Sequence, residues 1–365
     1  MSGAKRLIAH LKSLKNIPVS KPSIGEKEID YSVDAVSSGW VSSKGPYIEK
    51  FETAWAMYNK MKYGAAVSSG TTALFLALKA LGIKEGDEVI IPDFTMIACA
   101  WAVSYCGATP VFVDCKEDLT IDENLIESKI NANTRAIMPV HIYGRRCNMD
   151  AIMEIARQYN LFVVEDMAEA HGIMPVGDVA CYSFFGNKTI TTGEGGMCLT
   201  NDKRLHWQIQ HLKAMAFDKN HTFLHKKTGY NFRMTNVQAA IGLAQVERIG
   251  EILAKRKLIE EWYDKHMPEG IKRSPKRDIL WMYDIQTDCK NTRLIDFLAE
   301  NGVESRLFFK PMTIQPMYFQ QEVDGFNAYE ASNRGLYLPT YTDMTEEEVI
   351  HVCNILKQAI ECKII

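Results

Sequence analysis

The chain reads as an α/β fold: a large domain on a mostly parallel sheet, residues 1–267, followed by a small α+β domain, residues 268–365. Three features carry that reading. Between residues 65 and 168 short β-prone runs alternate with helical patterns, a spacing that needs right-handed crossovers between parallel strands. The 365 residues are long for one domain and natural for a large one plus a small one. Near Gly270 a charged piece, Ile271-Lys272-Arg273-Ser274-Pro275-Lys276-Arg277, interrupts the helical region like a linker, and shorter mixed elements follow it.

Taken in order, the basic, weakly amphipathic residues 1–18 read as a short surface helix with no cleavable leader. Pro18 and Pro22 punctuate an extended lead-in to a helix over 26–37. After two loops, Ile48, Phe51, Trp55 and Tyr58 share one face of a helix over 47–58. The alternating region predicts strands over 65–68, 88–92, 110–114, 136–141 and 161–165, with helices over 72–81, 95–105, 123–130 and 150–159 between them. Gly82 and Gly107 close helical patterns as C-caps. Two further β-prone runs, one ending at Gly186 and one over 196–199, flank a small-residue loop. Residues 201–267 are mostly helical. A polar loop over 225–234 interrupts them, and Thr235 caps a long helix running to about Met267. In the small domain, strands are expected over 279–286 and 303–309 and helices over 291–301 and 345–362.

Composition narrows the function. A net charge of −3 argues against a nucleic-acid partner, which wants a strongly basic face. The longest uncharged stretch, Phe94 to Val113, breaks at Gly107-Ala108-Thr109-Pro110 into a helix and a strand, so no membrane span is expected. Nine cysteines with no C-x-x-C spacing, most of them in apolar runs, read as reduced thiols of a cytoplasmic protein. No Cys/His cluster has zinc spacing, and His141 and His171 are too isolated to suggest a metal site.

Chemistry concentrates in three places. Lys188 sits between Asn187 and a Thr/Gly loop joining two β-prone runs, where an amine can be partly desolvated and form a Schiff base. Alone, it would be an ordinary turn lysine. Upstream, the apolar run 161–164 delivers Glu165 and Asp166 at its C-terminal end, where open α/β sheets bind ligands. Alternation turns Glu165 to the opposite face. The third place is Val67 to Leu78, a short strand followed by Ser68-Ser69-Gly70-Thr71-Thr72 at the start of a helix. Free N–H groups, the positive dipole end and hydroxyl donors there suit an anion. A lysine for an imine, an acid to keep a pyridine nitrogen protonated and a phosphate cradle are what a protein contributes to pyridoxal phosphate chemistry.

Those segments, with SGWVSSKGPYIEKFE, VHIYG, YSFFGNK and GYNFRMT in the same order, resemble the DegT-type sugar aminotransferases, fold-type I pyridoxal phosphate enzymes acting on nucleotide-linked keto-sugars. The likeness runs over about residues 17–360. It implies that Lys188 and Asp166 are catalytic, with Asp166 on the pyridine nitrogen and Glu169 near the ring's 3′ oxygen. Gly70, Thr71, Thr72 and Ser183 are implied on the phosphate, and Asn231 on the phosphate of a neighbouring subunit, so the expected assembly is a homodimer with shared active sites. Met96 stands where relatives usually have an aromatic stacked on the ring, and Phe94 is the alternative stacker. Trp40, His141, Arg306, Phe308 and Lys310 are implied at the substrate, with a strand-end structural role open for His141. Thr313 stands where relatives often have histidine.

The stretch FFGNKTITTGEGGM is most similar to the branch that makes perosamine and viosamine by aminating C4. The expected reaction takes an amino group from L-glutamate to a 4-keto-6-deoxyhexose linked to GDP, UDP or dTDP, giving the 4-amino-4,6-dideoxy sugar. Amination of a 3-keto sugar, a cofactor-dependent sugar dehydratase and a non-catalytic homologue are the rivals. Dehydrating relatives carry histidine at the position of Lys188, which speaks against the second. The intact Lys188, Asp166 and Ser183 set speaks against the third.

Overall fold

The computed structural model describes residues 16–218, 223–288, 291–320 and 327–365. The helix expected at the N-terminus lies outside the described residues. Two helices lead in, α1 (Glu26–Ser37) and α2 (Pro46–Tyr58). A seven-stranded sheet follows, made of β1 (Tyr63–Val67), β2 (Glu88–Pro92), β3 (Thr109–Val113), β4 (Thr134–Ile137), β5 (Phe162–Asp166), β6 (Val179–Ser183) and β7 (Gly196–Thr200). Its spatial order is β1-β7-β6-β5-β4-β2-β3. Every neighbouring pair is parallel except the two that involve β7, which runs antiparallel to β1 and β6.

The helices that return the chain between strands are α3 (Gly70–Ala80), α4 (Ala98–Tyr105), α5 (Glu123–Ile126) and α6 (Met149–Tyr159), and α7 (Lys203–Lys213), α8 (Asn236–Glu247) and α9 (Ile249–His266) follow the sheet. Consecutive strand residues fall into different cores: Val89 and Ile91 pack on one face and Ile90 on the other, and Cys181 and Cys198 face away from Tyr182 and Met197. Side chains alternate across a strand, so a sheet buried on both faces places adjacent residues in separate compartments.

A second sheet, antiparallel throughout in the order β10-β11-β9-β8, is built from β8 (Lys272–Arg273), β9 (Tyr283–Gln286), β10 (Arg306–Leu307) and β11 (Gly335–Leu338). It packs with α10 (Thr292–Glu300), α11 (Asn327–Arg334) and α12 (Glu346–Glu361). Its core also takes in Ile259, Tyr263 and Met267 from the end of α9, and Ile17, which bridges to Val303.

Several elements depart from the sequence reading. The helix expected from Thr235 to Met267 is two, because Arg248 leaves helical geometry at φ −117° and ψ 15°. Its guanidinium there bonds Glu28 at 2.7 Å and the Ser23 carbonyl at 2.7 Å, contacts with the lead-in that a continuous helix would forgo. The strand expected over 303–309 shrinks to Arg306–Leu307, and the helix over 123–130 tightens into a 3-10 turn after Ile126.

The second sheet is fastened to the first through the turn after β4. Gly144, at φ +77°, accepts the Asp278 and Ile279 N–H groups at 3.0 and 3.1 Å, and a Cβ on it would sit 2.1 Å from the Ile279 carbonyl oxygen. Next to it, buried Arg145 donates to both oxygens of Asp284 at 3.0 and 2.9 Å, and Arg277 donates to the same carboxylate at 2.8 Å. Burial alone would push Asp284 up; the two guanidiniums outweigh it and hold the carboxyl below its usual range. Thr313, through N–H and hydroxyl, bonds Asp93 at 2.8 and 2.9 Å, a second fastening.

Gly144→Ala should therefore destabilise the protein by at least ~2 kcal/mol, the left-handed backbone cost plus the main-chain clash. Urea unfolding checks this; a loss below ~0.5 kcal/mol would show that the turn relaxes freely.

Candidate active site

At the C-terminal ends of β5 and β6 a cavity of about 360 Å³ is lined among others by Gly70, Thr71, Met96, Asp166, Glu169, Ser183 and Lys188. The register of β5 on β6 pairs Asp166 with Cys181, so the carboxylate stands beside the strand that leads through Ser183 to Lys188. Asp166 is buried and accepts the Ala168 N–H on Oδ1 at 2.9 Å and the Cys99 thiol on Oδ2 at 3.1 Å. Its neighbour Glu165 turns to the other face. There it accepts the Val176 N–H at 2.7 Å and meets His141 Nε2 at 2.9 Å.

One wall is a helix start. Ser69 caps α3 by accepting the Thr72 N–H at 3.2 Å, leaving the first amides of the helix at the cavity with the Ser183 hydroxyl opposite. The approach is tight enough to need glycine twice. A Cβ on Gly70 would lie 2.7 Å from Ser183 Cβ, and one on Gly196 would lie 2.3 Å from the Ser69 carbonyl oxygen. Free helix amides, a positive dipole end and a hydroxyl make a phosphate cradle.

Lys188 extends into the same cavity with its side chain 12% exposed. Its Nζ lies 3.7 Å from Glu169 Oε1 and 4.4 Å from the centre of the Trp281 ring. Glu169 Oε2 accepts the N–H of Tyr143 at 2.8 Å, an amide aimed by a left-handed backbone at φ 51° and ψ 31°. Burial pushes the Glu169 carboxyl up to about 7; Lys188 and the Tyr143 amide oppose the rise, and Asp166 adds to it. Among the described residues no group of His, Cys, Asp or Glu is placed to hold a metal ion, and no helix is long and apolar enough to cross a membrane.

Other residues proposed for the site stand elsewhere. His141 is fully buried outside the cavity, its Nδ1 accepting the Cys147 N–H at 3.1 Å and its Nε2 engaged by Glu165, so the ring has no edge left for substrate. The hydroxyl of Thr72 closes the capping box on Ser69. Phe308 points inward over Gly335, and its neighbour Phe309 takes the place in the cavity wall. Phe94 is fully buried while Met96 is 46% exposed and lines the cavity, so the thioether has the position from which a ring can be touched. Trp40, Asn231, Arg306 and Lys310 are exposed and outside the cavity wall; Arg306 pairs with Glu304, and Asn231 accepts Arg233 Nε at 2.9 Å.

Trp281, Phe309 and Tyr337, contributed by the second sheet and its flanks, also line the cavity. Sequence offered little sign of them: Trp281 lies in an apolar run indistinguishable from core, and Tyr337 in a strand that no pattern announced.

A cavity lined by a mostly buried amine, a buried carboxylate and an anion cradle has the donor set of a pyridoxal phosphate-dependent aminotransferase. The carboxylate lines the space a ring would fill, and the cradle is closed to any side chain larger than hydrogen at residues 70 and 196. Comparison with known proteins agrees. Residues 22–357 match the DegT/DnrJ/EryC1/StrS aminotransferase family, and the chain belongs to that family. The GDP-perosamine synthases of Escherichia coli O157:H7 and Caulobacter vibrioides are each 42% identical to it, over 94% and 96% of this chain and 99% and 100% of theirs. Among solved structures, a putative sugar aminotransferase from Streptococcus pneumoniae in its PLP form superposes with a TM-score of 0.89 at 27% identity, covering 96% of this chain and all of the other.

Two outcomes follow from this geometry. Cys99→Val removes the thiol donor from Asp166 and should weaken cofactor binding about tenfold, whereas Cys99→Ser keeps a donor and should stay within about twofold, read by absorbance titration. For Glu169 the folded value lies above the 4.5 of the free group, so its contribution is complete below about 4.5 and is lost as pH rises through about 7. That is a decline on the order of 3 kcal/mol. Urea unfolding of cofactor-free protein from pH 5 to 8 should show a shallower decline for Glu169→Gln than for the natural chain.

Proposed function

We propose that the protein moves the amino group of L-glutamate to the C4 ketone of a GDP-linked 4-keto-6-deoxyhexose, releasing 2-oxoglutarate and a 4-amino-4,6-dideoxy sugar nucleotide. The observation that carries this reading is the amine of Lys188 in one cavity with Asp166 and the helix-start cradle. The choice of GDP and of C4 rests on near full-length likeness to enzymes named GDP-perosamine synthase.

Each residue has a task. The amides of Gly70 and Thr71 and the hydroxyl of Ser183 bind the phosphate, and Lys188 anchors the cofactor covalently. Asp166 holds a proton on the ring nitrogen. When bound, pyridoxal phosphate supplies an electrophilic carbon and an electron-withdrawing ring that stabilises the charge left by proton loss. Once released, the Lys188 amine takes the α-proton of glutamate, and in the second half-reaction it returns a proton to C4 of the sugar. Glu169, titrating near neutrality beside that amine, gives it a nearby group with which to share a proton.

The working form in this reading is a homodimer in the cytoplasm. Asn231 reaches the partner's phosphate, and Trp40, Arg306 and Lys310 meet the nucleotide-sugar once two subunits are together. Their exposure and their absence from the lining of their own cavity support that assignment.

The test is incubation with glutamate and a panel of GDP-, UDP- and dTDP-linked 4-keto-6-deoxy sugars, with products identified by mass and NMR. The expected result is a 4-amino sugar from the GDP substrate and no product from a Lys188→Ala variant that still binds cofactor. A 3-amino product, or normal turnover by Lys188→Ala, would sink the proposal.

A further inference from the structure

A closed circuit of contacts surrounds the Lys188 amine, and it passes through the second sheet. Trp281 is 1% exposed and donates its indole N–H to the carbonyl of Asn187, the residue bonded to Lys188, at 3.0 Å. Its ring faces the Lys188 Nζ at 4.4 Å. The same ring stacks with Tyr143, centroids 5.8 Å apart and planes at 15°. Tyr143 in turn donates its N–H to Glu169, whose other oxygen is 3.7 Å from the same Nζ. One aromatic side chain thus fixes both the main chain beside the lysine and the tip of the lysine itself.

Trp281 is itself held firmly. Its carbonyl accepts Arg256 Nη1 at 2.8 Å, and the segment carrying it is tied down two residues earlier, where Ile279 bonds Gly144, and three residues later, where Asp284 meets Arg145. A lysine side chain loses much rotamer freedom when fixed, so an amine that must act first as anchor and then as proton carrier gains from a preformed resting place. An indole face attracts an ammonium more strongly as the pair is desolvated, and here Trp281 is 1% exposed and the Lys188 side chain 12%.

We propose that Trp281 is the positioning residue for the free Lys188 amine, parking it against the indole face between its two proton transfers. The inference rests on the reading that Lys188 moves the proton. Trp281 itself exchanges no proton with substrate.

Trp281→Leu keeps an apolar filler but no ring face and no N–H; Trp281→Phe keeps the ring and loses the N–H. In single-turnover experiments with glutamate, the leucine variant should remove the α-proton about tenfold more slowly, the phenylalanine variant less than about threefold. The slowed phase should carry a primary isotope effect with α-deuterated glutamate, while KM for glutamate moves less than about twofold. In cofactor-free protein, with no turnover involved, Lys188 should be acylated faster by an amine-selective reagent in both variants, followed by mass spectrometry. If the leucine variant fails to fold, the phenylalanine variant alone must show the faster labelling.

Unchanged proton-removal rates and unchanged labelling in the variants overturn the inference. So does a fall in rate without an isotope effect on the slowed phase, which would give Trp281 a packing role only. Should the natural enzyme show no half-reaction with glutamate, the aminotransferase reading falls and this one with it; a normal half-reaction beside unaffected variants removes this inference alone.

Discussion

The pairing of β5 with β6 is the constraint on which the site depends. Three register pairs, Val164 with Val179, Glu165 with Ala180 and Asp166 with Cys181, set where a carboxylate at the end of one strand stands relative to the loop leaving the other. A slip of one residue would exchange Asp166 for Glu165 and turn the acid to the wrong face, because successive side chains alternate. The register is protected from both sides. The Asp166 amide and carbonyl are tied to Pro139 and His141, and the carboxyl of Asp178 accepts the Val163 amide at 2.8 Å. Glu165, buried on the opposite face, bonds the amides of Val176 and Gly177, so an exchange would strand those donors as well.

Much of this was legible in the sequence because it is local. Strand–helix alternation is a period, and the start of α3 carries its cap in Ser69 and Thr72; such signals lie within a few residues of one another. The lysine loop could be found for the same reason. What was hidden depends on contacts across long separations. Resemblance put His141 at the substrate and left a strand-end role open; the sequence did not show that Glu165, whose facing was known, reaches its ring. Resemblance pointed to Phe308, but the strand ends after Leu307 and it is Phe309 that lines the cavity. The break at Arg248 follows from bonds to Ser23 and Glu28, more than two hundred residues away, and no window on α8 and α9 contains them.

The second sheet is more than a lid on this account. Asp284 draws two arginines from different parts of the chain into a buried cluster, and Gly144 receives two amides from the segment leading to β9. Removing one partner from such a cluster leaves a buried charge exposed to no solvent, which is why the arrangement behaves as a unit. The result is that Trp281 reaches the lysine from a rigid support. The place of the lysine at the first sheet thus depends on packing in the second.

The bond from Tyr143 to Glu169 has an evolutionary side. Its donor is main chain, so a replacement at position 143 that accepts the left-handed backbone leaves that donor in place, while proline removes it. The neighbouring glycine has no such latitude, being pressed against Ile279 in a left-handed turn. Among distant descendants of this chain, position 143 should therefore keep to side chains that accept a left-handed backbone and fill the buried space beside Trp281, while the length of the turn and the residue after it stay put.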